Sequence, residues 1–284
     1  MEIDLAKLRQ WVGKTETVTD TVTPTPLEAL AATLDIDAPR PRAGDAVPPL
    51  WHWLFFLELH RQSELAPDGH AKLGGFLPPV PLPRRMWAGS RFEFPGPLLV
   101  GGTYSRTSRI ADVQQKQGRS GSLIFVLIRH EIGNAGGIAL TEEQDLVYRA
   151  LPGPADAAPA LRPPPAGAKW ERLVRPDDVL LFRYSALTFN AHRIHYDRRF
   201  ATESEGYPGL VVHGPLIATL LLDLLRRQIP GAHVKRFEFR AVSPLFDTAP
   251  FALYGKPESD AASVSLWATN PEGRLAMIAT AGIG

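Results

Sequence analysis

The tetrad RFEF occurs twice in the sequence, at residues 91–94 and again at residues 236–239. A strongly apolar segment that includes proline precedes each copy: PPLWHWLFFLELHRQ in the first half and HGPLIATLLLDLLRRQ in the second. Alternating runs such as GSLIFVLIRHEI and ASVSLWATN follow, and such alternation is typical of antiparallel strands with one buried face. The same order in both halves predicts a duplicated unit: a strand, a short helix, a long apolar helix and three or four antiparallel strands.

A low-complexity segment separates the two halves. Residues 151–168, LPGPADAAPALRPPPAGA, are mostly proline, alanine and glycine, a composition that does not build a packed element. We therefore predict a first unit over residues 1–150, a linker over 151–168 and a second unit over 169–284. Placing Glu16 on Asp178, an offset of 162, aligns the strand-like start of ETVTDTVTPTPLEALAATLD with that of DVLLFRYSALTFNAHRIHYD without a gap.

The apolar segment of the second half indicates the fold class. As a helix it would carry apolar side chains around most of its circumference, at residues 216, 217, 220, 221, 222, 224 and 225. Such a helix is too apolar for a surface position and requires a sheet wrapped around it. We therefore predict an α+β double hot dog, in which two antiparallel sheets each surround a central helix.

Composition excludes several classes of function. The 31 basic and 30 acidic residues are spread along the 284-residue chain, so we expect no nucleic-acid partner. The absence of cysteine excludes disulfides and thiol nucleophiles and agrees with a cytoplasmic location, which we expect. The most apolar stretch is interrupted by His213, Pro215 and Asp223, so we expect no membrane segment.

The segment TFNAHRIHYDRRFA, residues 188–201, holds the densest group of candidate site residues. His192 and His195 are three residues apart and would share one face of a helical turn. Asn190 would lie on the opposite side of an ideal helix, so its convergence with His195 requires an irregular turn. Further along, Gly214 and Pro215 indicate a helix start, where free N–H groups stabilise an oxygen that gains negative charge.

The run FNAHRIHYDRRFA, followed by VVHGPLIATLLLDLL, resembles the MaoC-like, or R-specific enoyl-CoA hydratase 2, family. Within it, the chain is most similar to the mesaconyl-C4-CoA and itaconyl-CoA hydratases, a similarity that WVGKTETVTDTVTP and LPRRMWAGSRFEF extend over most of the chain. The resemblance implies reversible addition of water to an α,β-unsaturated acyl-CoA. It implies no metal and no cofactor other than the coenzyme A of the substrate, and we expect a homodimer.

Carried over position by position, the family histidine falls on His195, the family aspartate on Asn190 and the helix-start glycine on Gly214. His192 takes the place of the family asparagine, and Arg193 that of its proline. Because an amide cannot take up a proton near neutral pH, proton transfer falls mainly on His195, whose ordinary pKa of roughly 6.5 suits both directions. Asn190 would orient the water, and the Gly214 N–H would polarise the thioester carbonyl.

A substrate with a second carboxylate needs a cation, and the planar guanidinium group suits it best. The predicted substrate-binding residues are His192, Arg193, His213, Arg84 and Arg85, with Arg106 and Arg109 as further candidates. At the offset of 162, Thr33 stands opposite His195 and Glu28 opposite Asn190. The first hot dog is therefore predicted to lack the catalytic histidine and to shape the substrate site.

Other interpretations of the same residues stay open. His192 is also compatible with a bracing role, and a zinc site would combine His192, His195, Asp197 and His213, although the pair lacks the glutamate base of the HExxH motif. At the level of function, the alternatives are a 3-hydroxyacyl-thioester dehydratase of fatty acyl chains and a non-catalytic hot dog that binds acyl thioesters.

Overall fold

The structure is a computed structural model, and it describes residues 3–118, 121–150, 162–259 and 262–284. The strands of the first half are β1 (Thr15–Thr21), β2 (Arg84–Glu93), β3 (Thr103–Gly118), β4 (Gly121–Asn134) and β5 (Gly137–Arg149). Those of the second half are β6 (Trp170–Val174), β7 (Val234–Ala241), β8 (Phe251–Pro257), β9 (Ser263–Thr269) and β10 (Leu275–Ile283). The helices are α1 (Leu5–Arg9), α2 (Pro24–Thr33), α3 (Asp178–Leu187) and α4 (Gly214–Gln228).

These strands form one continuous antiparallel sheet in the order β1-β3-β4-β5-β2-β7-β10-β9-β8-β6. The first RFEF tetrad lies at the end of β2, with Phe94 just beyond it, and the second lies within β7; these two strands join the halves. They pair with each other antiparallel, so that Arg91 faces Glu238 and Glu93 faces Arg236, with Phe92 opposite Phe237 between them. The repeated tetrad therefore marks the junction of the two halves.

The second half of the sheet surrounds α4, as the sequence predicts. Every residue of α4 from Leu216 to Leu225 is buried, and the helix packs against β6, β8, β9 and β10. Burial of each leucine side chain contributes about 1.5–3 kcal/mol, so the helix holds the core of this half together. The α+β double hot dog is confirmed as the fold class, and its two predicted sheets are joined into one through the pairing of β2 with β7.

The prediction of a long helix in the first half is wrong. PPLWHWLFFLELHRQ forms only a short 3-10 turn, Trp51–Leu54. Leu50 and Phe56 adopt left-handed backbone angles, with φ of 71° and 56°, which a continuing helix cannot contain. The Phe56 N–H donates to Asp20 Oδ2 at 2.9 Å, outside any helix ladder. The apolar side chains are still buried, because Trp51, Leu54, Phe55 and Phe56 join the main core.

DVLLFRYSAL, expected as a strand, is the helix α3. The side chain of Asp177 caps its start by accepting from Leu180 N at 2.8 Å. Leu181 and Tyr184 are buried, whereas Phe182 is 62 % exposed, as expected for a helix with one buried face. The strand of this half comes earlier, at β6.

The gap-free alignment at an offset of 162 is therefore wrong, because it places strand β1 on helix α3. The helices α2 and α3 correspond instead, and they begin at Pro24 and Asp178, an offset of 154. Pro41 rather than Thr33 then stands opposite His195, and Ile36 rather than Glu28 stands opposite Asn190.

The alternating runs are strands where expected, at β4, β5, β8, β9 and β10, whereas β3 and β6 were not anticipated. Of the expected linker, residues 151–161 lie outside the described residues, and 162–168 contain no helix or strand. In the described part of the chain, no helix has the length and apolar character to cross a membrane.

Candidate active site

A cavity of about 1070 Å³ is lined by residues of both halves. The second half contributes Asn190, His192, His195 and Gly214, which the sequence motif predicts as neighbours. The first half contributes the loop around His70 and several arginines. A cavity of this size accommodates a ligand as large as an acyl thioester.

His195 lies at the end of a short 3-10 turn, Arg193–His195, and is 8 % exposed. Its Nδ1 lies 2.7 Å from the carbonyl oxygen of Val211. A carbonyl oxygen only accepts, so Nδ1 carries the hydrogen and Nε2 carries a lone pair. Burial lowers the pKa of His195 to about 4, and the ring is therefore neutral at pH 7. The ring therefore has a lone pair on Nε2, and its one hydrogen bond to a described residue is through Nδ1.

His213 supports His195 from behind. The two rings stack with their centroids 3.7 Å apart, and His213 Nε2 lies 2.8 Å from the Ser185 hydroxyl. Burial holds the pKa of His213 well below its ordinary value, so this ring is also neutral. At 1 % exposure it lies outside the cavity lining. Its position is that of a support for His195 and not of the substrate contact that the sequence predicts.

Asn190 and His192 form the irregular turn that brings Asn190 to the same cavity as His195. Phe189 has a left-handed backbone with φ of 51°, and Asn190 Oδ1 accepts from the His192 N–H at 3.0 Å. The amide oxygen is therefore engaged locally, which leaves the NH₂ group of Asn190 for a ligand. The His192 ring stands edge-on to His195, at 5.4 Å between centroids.

Gly214 begins α4, directly after the segment that holds His195. Pro215 follows it in the first helical turn. The first N–H groups of a helix have no acceptor within it, and they lie at the positive end of the helix dipole. A Cβ built on Gly214 would meet no atom within 4 Å, so the backbone here faces open space in the cavity wall.

A loop of the first half, residues 62–72, contacts the histidine turn of the second half, residues 190–195. The Arg193 N–H donates to the Asp68 carbonyl oxygen at 2.9 Å. Gly69, with φ of 93°, approaches so closely that a Cβ would overlap the Ala191 carbonyl oxygen. The His70 ring lies 3.9 Å from that of His192, centroid to centroid. Sequence reasoning missed Asp68 and His70, because nothing in the loop's own sequence indicates which turn it contacts.

Three of the predicted arginines are ion-paired or lie outside the cavity lining. Arg84 is paired with Glu205, through Nε at 3.0 Å to the carboxylate and through Nη2 to the backbone carbonyl. Arg193 is paired with Asp197 at 2.7 Å and donates to a backbone carbonyl of the 62–72 loop. Arg109 is exposed and lies outside the cavity lining.

Arg85 and Arg106 remain as cations of the cavity wall. Both line the cavity, and neither forms an ion pair with any described residue. Arg106 Nε and Nη2 are buried without a hydrogen-bond acceptor in the described part of the chain. Arg85 is near the histidines, since its charge contributes to lowering the pKa of both His70 and His192.

The zinc set considered from the sequence does not converge. Asp197 is used by Arg193 and by the Phe200 N–H, and His213 by Ser185. Among the described residues, one group of three possible metal ligands exists: Asp68, His70 and His192, whose ligand atoms lie within 4.8 Å of one another. One nitrogen of this group, His70 Nδ1, already bonds to Asp68 at 2.8 Å.

Comparison with known proteins identifies the family. The model of hydroxyacyl-thioester dehydratase type 2 matches residues 50–247. The chain belongs to this family. It is 47 % identical over 274 residues to the mesaconyl-C(4)-CoA hydratase of Chloroflexus aurantiacus, covering 96 % of this chain and 97 % of that protein. It is 30 % identical over 234 residues to the mitochondrial hydroxyacyl-thioester dehydratase type 2 of Schizosaccharomyces pombe, covering 72 % and 76 % respectively.

Solved structures support the fold. A MaoC-like dehydratase from Phytophthora capsici superposes with a TM-score of 0.69 at 15 % identity, covering 99 % of this chain and 98 % of that one. A Mycobacterium tuberculosis protein with a double hotdog fold superposes with a TM-score of 0.58 at 15 % identity, covering 96 % of each chain. The resemblance found in the sequence is confirmed, and the protein is a hydro-lyase of the enoyl-thioester hydratase and dehydratase group.

Proposed function

We propose that the protein catalyses the reversible hydration of a short, branched dicarboxylic enoyl-CoA, itaconyl-CoA or mesaconyl-C4-CoA, to citramalyl-CoA. The observation that carries this proposal is the neutral His195, whose free Nε2 lies in the wall of a cavity that also contains the start of α4. The 47 % identical relative is named for hydration of mesaconyl-C(4)-CoA, which supports the substrate class.

In the proposed reaction, the thioester carbonyl accepts a hydrogen bond from the Gly214 N–H. The helix start then stabilises the enolate-like charge that forms when water attacks the β carbon. His195 Nε2 takes the proton from the water, and the NH₂ group of Asn190 orients the oxygen. His192, Arg85 and Arg106 bind the substrate around these groups.

The test is a hydration assay on itaconyl-CoA, mesaconyl-C4-CoA, crotonyl-CoA and a long-chain 2-enoyl-CoA, followed by loss of the conjugated thioester absorbance. We expect the two dicarboxylic substrates to give the highest kcat/KM. Faster turnover of the long chain would favour the fatty acyl dehydratase, an alternative supported by the 30 % identical yeast relative. Binding of all four without turnover would favour the non-catalytic thioester-binding module.

Arg85 is the proposed receptor for the free carboxylate of the substrate, because it lies near the histidines and forms no ion pair with a described residue. Loss of one charge-assisted hydrogen bond costs about 1.5–3 kcal/mol. Arg85→Gln should therefore lower kcat/KM for mesaconyl-C4-CoA by about 10- to 100-fold and leave that for crotonyl-CoA nearly unchanged. The control is Arg109→Gln, outside the cavity. An equal loss on both substrates would contradict the assignment, and selective loss in Arg106→Gln instead would transfer the role to Arg106.

The other expectations remain part of this proposal. We expect the enzyme to work as a homodimer in the cytoplasm and to need no cofactor beyond the coenzyme A of its substrate.

A further inference from the structure

The candidate active site contains a carboxylate–imidazole pair, Asp68 and His70, that comes from the first half of the chain. Asp68 Oδ2 lies 2.8 Å from His70 Nδ1, and Asp68 Oδ1 accepts from the His70 backbone N–H at 3.0 Å. A carboxylate accepts, so the Nδ1 hydrogen of His70 points to Asp68 and Nε2 is left for the cavity. The one hydrogen bond of the His70 ring to a described residue is through Nδ1.

Backbone contacts hold the pair against the histidine turn. The Arg193 N–H binds the Asp68 carbonyl, and Gly69 touches the Ala191 carbonyl closely enough to exclude any side chain. The imidazoles of His70, His192 and His195 then follow one another, with centroids 3.9 Å and 5.4 Å apart. The three rings line the same cavity.

This arrangement supplies a second proton carrier, where the motif of the second half supplies one. Hydration needs two proton transfers. One takes a proton from water, and the other brings a proton to the α carbon. Asn190 cannot exchange a proton, and His195 has a single free nitrogen, Nε2, because Nδ1 is bound to Val211. A second titratable group is therefore useful at this site, and His70 is an imidazole with a free nitrogen in the cavity wall.

We propose that His70, oriented by Asp68, is a second proton-transfer residue of the hydratase, and this inference rests on the proposed function. In hydration, the water oxygen forms a bond to the β carbon and its proton passes to His195 Nε2. The π electrons move to the thioester carbonyl, and the α carbon then takes the proton carried by His70 Nε2. His195 releases one proton to solvent and His70 takes one up, so that one water is added in balance. Dehydration reverses each transfer.

The charged groups around His70 act in opposite directions. Burial and the Arg85 charge lower its pKa, whereas Asp68 and Glu58 raise it, and the net change is downward from 6.5. Neighbouring His192 is neutral, because burial and His70 lower its pKa. His70 must be protonated and His195 unprotonated in the proposed hydration. We therefore expect kcat/KM to fall below about pH 4, the pKa of His195, and to decline on the alkaline side as His70 loses its proton.

The experiment compares the full-length protein with His70→Ala, His70→Gln and Asp68→Asn on whichever enoyl-CoA the unaltered enzyme hydrates best. We expect kcat to fall about 100-fold or more in both His70 variants, less in Asp68→Asn, with KM changed little. In His70→Ala, added imidazole should restore part of the rate in proportion to its concentration. In His70→Gln, the decline of kcat/KM on the alkaline side should disappear. The exposed His233→Ala, outside the cavity, is the control.

Three results would overturn this proposal, and they differ in what they mean for the proposed function. Full activity in both His70 variants, or a loss that imidazole does not restore while the alkaline decline persists, would overturn the role of His70 and leave the hydratase intact. No turnover by the unaltered protein on any enoyl-CoA would overturn both proposals. Activity that a chelator removes and Zn²⁺ restores would instead assign Asp68, His70 and His192 to a metal and overturn this inference.

Discussion

His195→Ala is expected to lower kcat for hydration by about 10²–10⁴-fold, the range in which a positioned general base contributes. The substitution removes the free Nε2 and leaves the cavity and the start of α4 in place. Binding of the thioester should therefore persist, and Kd for a saturated acyl-CoA, measured by titration calorimetry, should change by less than about threefold.

The matched control is His233→Ala, which removes an exposed histidine of the same half and should leave kcat unchanged. His213→Ala tests the supporting ring separately, and it should lower kcat less than His195→Ala because His213 is not in the cavity wall. If His195→Ala retained more than a third of kcat, the proton would have to be taken by another group.

Asp223→Ala is expected to lower the free energy of unfolding by about 3 kcal/mol, the lower end of the cost of breaking a buried ion pair. The Asp223 side chain is 1 % exposed and binds Arg172, Arg226 and Arg227 at 2.6–2.8 Å. Without the carboxylate, three partly buried guanidinium groups lose their acceptor at the same place on α4. Urea unfolding at pH 7 measures the change.

The matched control is Glu203→Ala, which breaks the exposed i,i+4 pair with Arg199 and should cost less than about 0.5 kcal/mol. Burial alone would raise the pKa of Asp223, but hydrogen bonds from Arg227 and Arg226 outweigh it, and the pKa is lowered. The carboxylate therefore stabilises the fold above its unfolded-state pKa, and this contribution is lost as the pH falls through the folded value. Equal stability losses for the two variants would show that the Asp223 network is no stronger than a surface pair.

The residues that carry the motif were predictable because their chemistry is local in the chain. Asn190, His192 and His195 lie within six consecutive residues of the sequence. The two residues Gly214 and Pro215 are enough to indicate the start of a helix. The apolar pattern of α4 also predicts its burial, since a helix that is apolar nearly all round needs a sheet on more than one side. These features suffice for the fold class and for the base of the proposed reaction.

The first-half segment and the arginines were not predictable in the same way. Trp51, Phe55 and Phe56 have the composition of a buried helix, but left-handed angles at Leu50 and Phe56 end it after one turn. Apolar residues are buried equally well in an irregular segment, so periodicity alone does not separate the two. An arginine is available to bind a substrate carboxylate only if it has no ion-pair partner in the protein. For Arg84 that partner is Glu205, which is more than a hundred residues away in the sequence.

The sequence by itself determined the duplicated α+β architecture, the helix start at Gly214 and the placement of His195 in the candidate site. It did so because hydrophobic period, helix-start residues and short motifs act over a few neighbouring positions. Only the tertiary structure decided that Asp68 and His70 join this site, that His213 stands behind it, and that Arg85 and Arg106 remain without an ion pair among the described residues. These outcomes depend on contacts between distant segments, whose distances no local pattern encodes.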